Sequence, residues 1–252
     1  MDHRARHPRV ANYLRVVVVL ALAAPFLGDG AHARSGFTYS GRGCASVRAV
    51  FAVPVDQARA FVPPSFRIFD LGAGVATGKA TITRCDLLTV GPVTGPGSFS
   101  SVTIDIEPPA GAPGTSEHGY ELWHVSNRHD LADRYRAAGV RGDVVGELSL
   151  ESLTPDPVAS AHGDAPWPRA SFGLTVVTPD PTDGVPTKHN ESEWHVAGTT
   201  RLRTLSNYDE IEHAGAAVLT TGGDFDRLMG LPAAPAAGLL RTFSFTAKVE
   251  AL

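Results

Sequence analysis

Cysteine and lysine are nearly missing from this chain: of 252 residues two are cysteine and three are lysine, against nineteen arginines. Two cysteines exclude a disulfide-dense scaffold and any multi-cysteine zinc centre. The lysines (Lys79, Lys188 and Lys248) lie at least sixty residues apart, so no local lysine pair exists. Arginine in place of lysine is what a GC-rich bacterial genome produces. Beyond the first fifteen residues there is no basic cluster, and the net charge is −4 with a pI near 6.2. A nucleic-acid partner therefore has no electrostatic footprint. No apolar run reaches the eighteen residues that a membrane-spanning helix needs. Sequence signatures of common catalysts are missing too: no G-x-S-x-G elbow, P-loop, dinucleotide fingerprint or H-E-x-x-H. Gly95-Pro96-Gly97-Ser98-Phe99 reads as a turn. The expectation is a protein without cofactor or metal.

What is present is enough apolar material for a core, 43 % of residues with only 19 % charged. Gly and Pro together, 26 and 19 residues, stay below the roughly 25–30 % at which low complexity sets in. The first 33 residues read as an export signal: Arg4, Arg6, Arg9 and Arg15, then Val16–Leu27 without a charge, then Ala31-His32-Ala33 as a cleavage site. Twelve residues at 1.5 Å rise span about 18 Å, short of a hydrocarbon core of about 30 Å. Cleavage after Ala33 removes four arginines and two aspartates and takes the charge from −4 to −6. The expected product is a secreted or extracytoplasmic chain, 34–252, with no transmembrane segment and an oligomeric state that the sequence leaves open. In an oxidising compartment Cys44 and Cys85 are expected to pair as a disulfide.

Along that chain, short β-branched or alternating segments are bounded by turn residues. Strands are expected at Cys44–Val53, Ser65–Asp70, Val75–Leu88, Phe99–Glu107, Tyr120–Ser126, Asp143–Leu150, Arg169–Thr178, Glu193–Thr204, Ala216–Thr221 and Leu240–Glu250. Helices are expected at Asp56–Val62, from an Asn127 cap to Ala138 with Gly139 after it, and at Asp224–Met229. Thr154–Pro168 and Pro179–Asn190 read as loops. The fold class is mainly β: a single-domain antiparallel barrel or strongly curved sheet with two or three short helices.

Candidate chemistry lies on those strands. Tyr120, Leu122 and His124 alternate against Glu121, Trp123 and Val125, so one set faces inward. Glu191, Glu193 and His195 share a face and could surround a cation, although a solvated strand face is the favoured reading. Lys79 and Arg84 fall on opposite faces of one strand, with Lys79 expected to face solvent. Glu147, His124 and Glu121 are the catalytic candidates, and Arg84 and Trp123 the binding candidates.

Three segments resemble the acetoacetate decarboxylase-like superfamily. Val53 to Phe66 (V-P-V-D-x-A-x-x-x-V-P-P-x-F) is similar to its strand, short helix and proline step before a long barrel strand, here Val75–Asp86. Trp123–Gly139 and Leu219–Leu231 are similar to its strand–turn–helix and its polar turn before the last strand. The resemblance implies a β-barrel with an internal pocket. It also implies a Schiff-base lysine with a second lysine beside it, and here this chain departs: the corresponding stretch, Gly142–Leu153, offers Glu147 and Glu151 and no lysine. The leading expectation is thus an exported barrel binding a small organic acid or apolar metabolite without Schiff-base chemistry. The alternative is a related lyase or hydrolase using acidic and histidine groups.

Overall fold

The computed structural model describes residues 36–112, 114, 117–140, 142–153, 159–167, 169–179, 184–229 and 233–252. The expected export signal (1–33) and residues 154–158 of the first expected loop lie outside the described residues.

The described residues form eleven strands: β1 (Phe37–Pro54), β2 (Val75–Val90), β3 (Val93–Asp105), β4 (Glu117–Ser126), β5 (Gly142–Val144), β6 (Ser149–Leu153), β7 (Ala159–Pro166), β8 (Ala170–Thr178), β9 (Val185–Ala197), β10 (Thr200–Gly223) and β11 (Ala233–Ala251). Among the described residues three short helices accompany them: α1 (Val55–Arg59), α2 (His129–Ala138) and α3 (Asp224–Met229). The mainly β expectation holds. Seven strands follow one another in a ring, β11–β1–β2–β3–β4–β9–β10, closed because β10 also pairs with β11. The far end of β10 pairs with β8, and β7 and β6 continue that branch to a free edge. Most pairings are antiparallel; β4 is parallel to β9 and to β5.

Local signals explain the elements and their departures from expectation. Gly139 (φ 87°) closes α2 in the left-handed region, as expected of a C-terminal glycine. Asn127 does not cap α2: its Oδ1 accepts from Ser98 N at 2.8 Å, and Arg128 takes the cap position. Ser65–Asp70 forms only single bridges, at Ile68 and Asp70, its first residues being taken up by a turn in which Phe66 N donates to the Pro63 carbonyl at 3.0 Å. Glu193–Thr204 is the tip of a hairpin, turning at Gly198 (φ 63°), a conformation that favours glycine. Part of the expected Thr154–Pro168 loop is β7, paired on both sides, and much of the second is the start of β9.

The two faces of the ring are chemically opposite. Its outer wall carries Val47, Ala49, Phe51, Ile82, Val102 and Ile104, covered by Phe172, Leu174 and Val176 of β8 and by Phe225 of α3. Burying such side chains contributes roughly 1.5–3 kcal/mol each. The inner wall carries charge. Arg48 on β1 donates to both carboxylate oxygens of Glu191 on β9, at 2.8 and 3.2 Å, and these strands are not neighbours in the ring. Lys79 likewise reaches across β3 to Glu117 on β4. The sequence placed Lys79 towards solvent; the structure corrects this, for it lies inside, 2.9 Å from Asp105 and 2.8 Å from Glu117. The main apolar core is therefore outside the ring. A second apolar cluster, with Tyr39, Leu88, Leu131, Tyr135, Phe243 and Phe245, includes the Cys44–Cys85 disulfide.

Candidate active site

One irregularity in β4 creates the site. Val102 pairs with Trp123 and the next residue, Thr103, pairs with Glu121, so Leu122 is an extra residue in the ladder. Such a bulge slips the two-residue alternation by one. Glu121 and His124 consequently share the inner face, which the regular alternation read from sequence forbade. Just beyond, the sheet forks: β4 pairs with β9 as far as Tyr120 and with β5 from His124 onward.

Glu121, His124 and His195 converge at this fork. Glu121 Oε1 lies 3.0 Å from His124 Nδ1, and Oε2 lies 3.4 Å from His195 Nδ1. His195 Nε2 lies 3.1 Å from the Thr204 hydroxyl. His124 is stacked against Tyr135, ring centroids 4.1 Å apart, with Phe99 on the same ring at 6.0 Å. All three residues are at most 5 % exposed, and Glu121 Oε2 and His124 Nε2 have no hydrogen-bond partner among the described residues. Burial raises the Glu121 carboxyl well above its ordinary range. Burial also lowers His124 to about 4 and, with the neighbouring His124 adding to it, His195 to about 3. Burial thus favours the neutral form of each group, a carboxyl that can donate a proton in contact with an imidazole that can accept one. Glu193, on the same face of β9, is also raised well above the ordinary carboxyl range, by burial and by Glu121 and Glu191 nearby.

These three residues line a cleft of about 340 Å³, with Phe61, Tyr120, Trp123 and Asp224 among its other walls. Of the sequence candidates, the structure brings together Glu121, His124 and Trp123. Glu147 is exposed and lines a different cavity with Ser149 and Asp164. Arg84 is exposed on the opposite face from Lys79, donating to the Leu150 carbonyl at 3.0 Å. His195 was read only as part of a possible cation face, and its contact with Glu121 joins strands whose parallel pairing no sequence pattern announces. Glu191, Glu193 and His195 do share a face of β9. A tighter donor group is Glu117, His189 and Glu191, whose ligand atoms lie within 4.8 Å of one another. These donors are already committed: Glu191 to Arg48, Glu117 to Lys79, and His189, raised to about 9 by hydrogen bonds to Glu191 and Glu210, to its own proton. They do not fit a metal well.

No protein-family model and no curated protein matches the sequence. Solved structures do. The enduracididine biosynthesis enzyme MppR, complexed with pyruvate, superposes with a TM-score of 0.56 over 84 % of this chain and 88 % of that one, at 14 % identity. An acetoacetate decarboxylase gives 0.53 over 85 % and 88 %, at 11 % identity. This is the acetoacetate decarboxylase-like fold. In this version of that fold, the sole lysine of the ring interior among the described residues is Lys79. Burial disfavours its charge, but Asp105 and Glu117 more than compensate and raise its pKa. An ammonium so held is not a nucleophile.

Proposed function

We propose that this chain is an enzyme of the acetoacetate decarboxylase-like class, a lyase or hydrolase, that works on a small organic molecule by acid–base chemistry without an imine. The observation that carries the reading is the contact of Glu121 with both His124 and His195 in the wall of the cleft. Glu121, protonated, delivers a proton to the atom that gains negative charge or leaves; neutral His124 accepts one, and the 3.0 Å contact returns it. Solved structures of the same fold are enzymes by their printed descriptions, which favours catalysis over binding alone. We place the mature protein outside the cytoplasm, beginning at Arg34 after removal of 1–33.

The test is turnover of a panel of small esters, lactones, hydroxy acids and oxo acids by the wild type and by Glu121→Gln. Loss of at least about 100-fold in kcat/KM with an unchanged fold is expected, the usual size of a general acid–base contribution. Full activity in Glu121→Gln would remove this assignment, and saturable binding without turnover would leave a binding protein.

A further inference from the structure

We propose that Thr175 is a nucleophile that takes an acyl group from short-chain carboxylic esters, activated by His162 and oriented through Asp164. This goes beyond the function proposed above, since none of the three residues lines the cleft of Glu121. Ala161 and Ala165 of β7 and Phe172 and Leu174 of β8 pack into the main apolar core. Strand alternation therefore turns His162, Asp164 and Thr175 to the opposite face. There His162 and Thr175 are cross-strand partners, and Asp164 follows on the same face of β7. His162 Nδ1 lies 3.1 Å from Thr175 Oγ1, and its Nε2 lies 3.0 Å from Asp164 Oδ2. A hydroxyl, an imidazole and a carboxylate in one hydrogen-bonded line are the signature of an activated nucleophile.

Hydrogen-bond chemistry fixes the reactive tautomer. The Asp164 carboxylate only accepts, so Nε2 carries the imidazole proton, and the bare Nδ1 accepts from the Thr175 hydroxyl. As Thr175 Oγ1 bonds to an ester carbonyl carbon, its proton passes to His162 Nδ1, and Asp164 stabilises the imidazolium. The tetrahedral adduct then breaks its bond to the alcohol oxygen, which takes that proton, and acyl-Thr175 remains. Water, deprotonated by the same imidazole, releases the acid and restores the hydroxyl. The surroundings favour an ester with a short apolar acyl chain. Val218 faces Thr175 from β10 and Val177 follows it on β8; they are 58 % and 40 % exposed and offer that chain a seat. On the other side Asp164 borders a cavity of about 370 Å³, where Ser149, Ser171 and Thr220 offer hydroxyls to the alcohol part. Because β8 is paired on both sides, its backbone N–H groups are taken up in the ladders and hold no oxyanion. Each such donor contributes about 10²–10³ in rate, so acylation is expected to be stoichiometric and turnover slow.

The probe is p-nitrophenyl butyrate, incubated with the purified protein at neutral pH. Nitrophenolate release gives the rate, and peptide mass mapping gives the site. Release of one equivalent and one butyryl group on Thr175 are expected. Thr175→Val, which keeps the side chain's shape, should abolish that labelling. His162→Gln should slow it by at least about 100-fold and Asp164→Asn by at least about tenfold. Glu121→Gln should be acylated at the wild-type rate, so failure of this inference and failure of the Glu121 assignment are distinguishable. An unlabelled Thr175 in the wild type, a butyryl group on other residues alone, or labelling of Thr175 that persists at full rate in His162→Gln would each overturn the inference.

Discussion

His124 Nδ1 lies 3.0 Å from Glu121 Oε1 although the two residues are three apart on one strand, a spacing that in a regular pleat sends side chains to opposite faces. The extra residue Leu122 makes the contact possible, and with it a neutral carboxyl–imidazole pair in the wall of a cleft.

That pair has a pH signature of known sign. In the unfolded chain His124 takes up a proton near pH 6.5, whereas in the fold burial holds it off until about 4. Its contribution to stability is thus fully present above 6.5 and is lost as pH falls through that window. Comparison with His124→Phe isolates it from Glu121 and Glu193, whose raised values act in the opposite direction. The stability of His124→Phe relative to wild type should rise between pH 6.5 and 4, by up to about 3 kcal/mol. Denaturant melts at a series of pH values measure this, and a pH-independent difference would refute it.

Lys79 should remain protonated and form no imine. Borohydride treatment with acetone or a β-oxo acid is expected to leave the protein's mass unchanged. Lys79→Met should cost about 3 kcal/mol, because Asp105 and Glu117 would be left without their cation. A stoichiometric adduct on Lys79, read by mass spectrometry, would contradict the charge assignment.

His189 sets the alkaline limb. Its hydrogen bonds to Glu191 and Glu210 raise it from 6.5 to about 9. A raised histidine stabilises fully below its unfolded value, and that stabilisation disappears as pH climbs from 6.5 through 9. The loss should reach at most about 3 kcal/mol. His189→Gln should flatten this limb, and thermal melts of the two proteins between pH 6 and 10 decide it.

Cys44 and Cys85 are cross-strand partners 41 residues apart, with Cα atoms 3.9 Å apart. Closing a loop of that length removes unfolded-state entropy worth about 4 kcal/mol. The Cys44→Ala/Cys85→Ala double variant should lose about that much in a urea melt. Two free thiols titrating in the denatured, unreduced wild type would show that the bond does not form.

Much of the fold was legible because its signals are local. Alternation and β-branched runs marked most strands, the Pro54 and Pro63-Pro64 steps bracketed α1, and Gly139 closed α2. The pairing of the two cysteines across β1 and β2 was expected from strand placement and from an expected oxidising compartment, and the structure shows the bond. The candidate site was legible only in part. Glu121, His124 and Trp123 stood out as chemistry-bearing residues on one strand, but Glu147 and Arg84 were drawn in by their type alone, and both are exposed away from the cleft.

The sequence by itself determined that this is a mainly β chain with three short helices, one disulfide partner for each cysteine and no lysine pair. These properties depend on residue type and short-range spacing. Only the tertiary structure decided that the ring interior is charged and the main apolar core lies outside it, that Lys79 is enclosed by two carboxylates, and that Glu121 meets both His124 and His195. Each of these depends on which distant strands become neighbours and on a single unpaired residue, Leu122, that reverses which side of β4 faces in. A pattern of alternation is symmetric between its two faces. Only packing against β8 on one side and contact across the ring on the other breaks that symmetry.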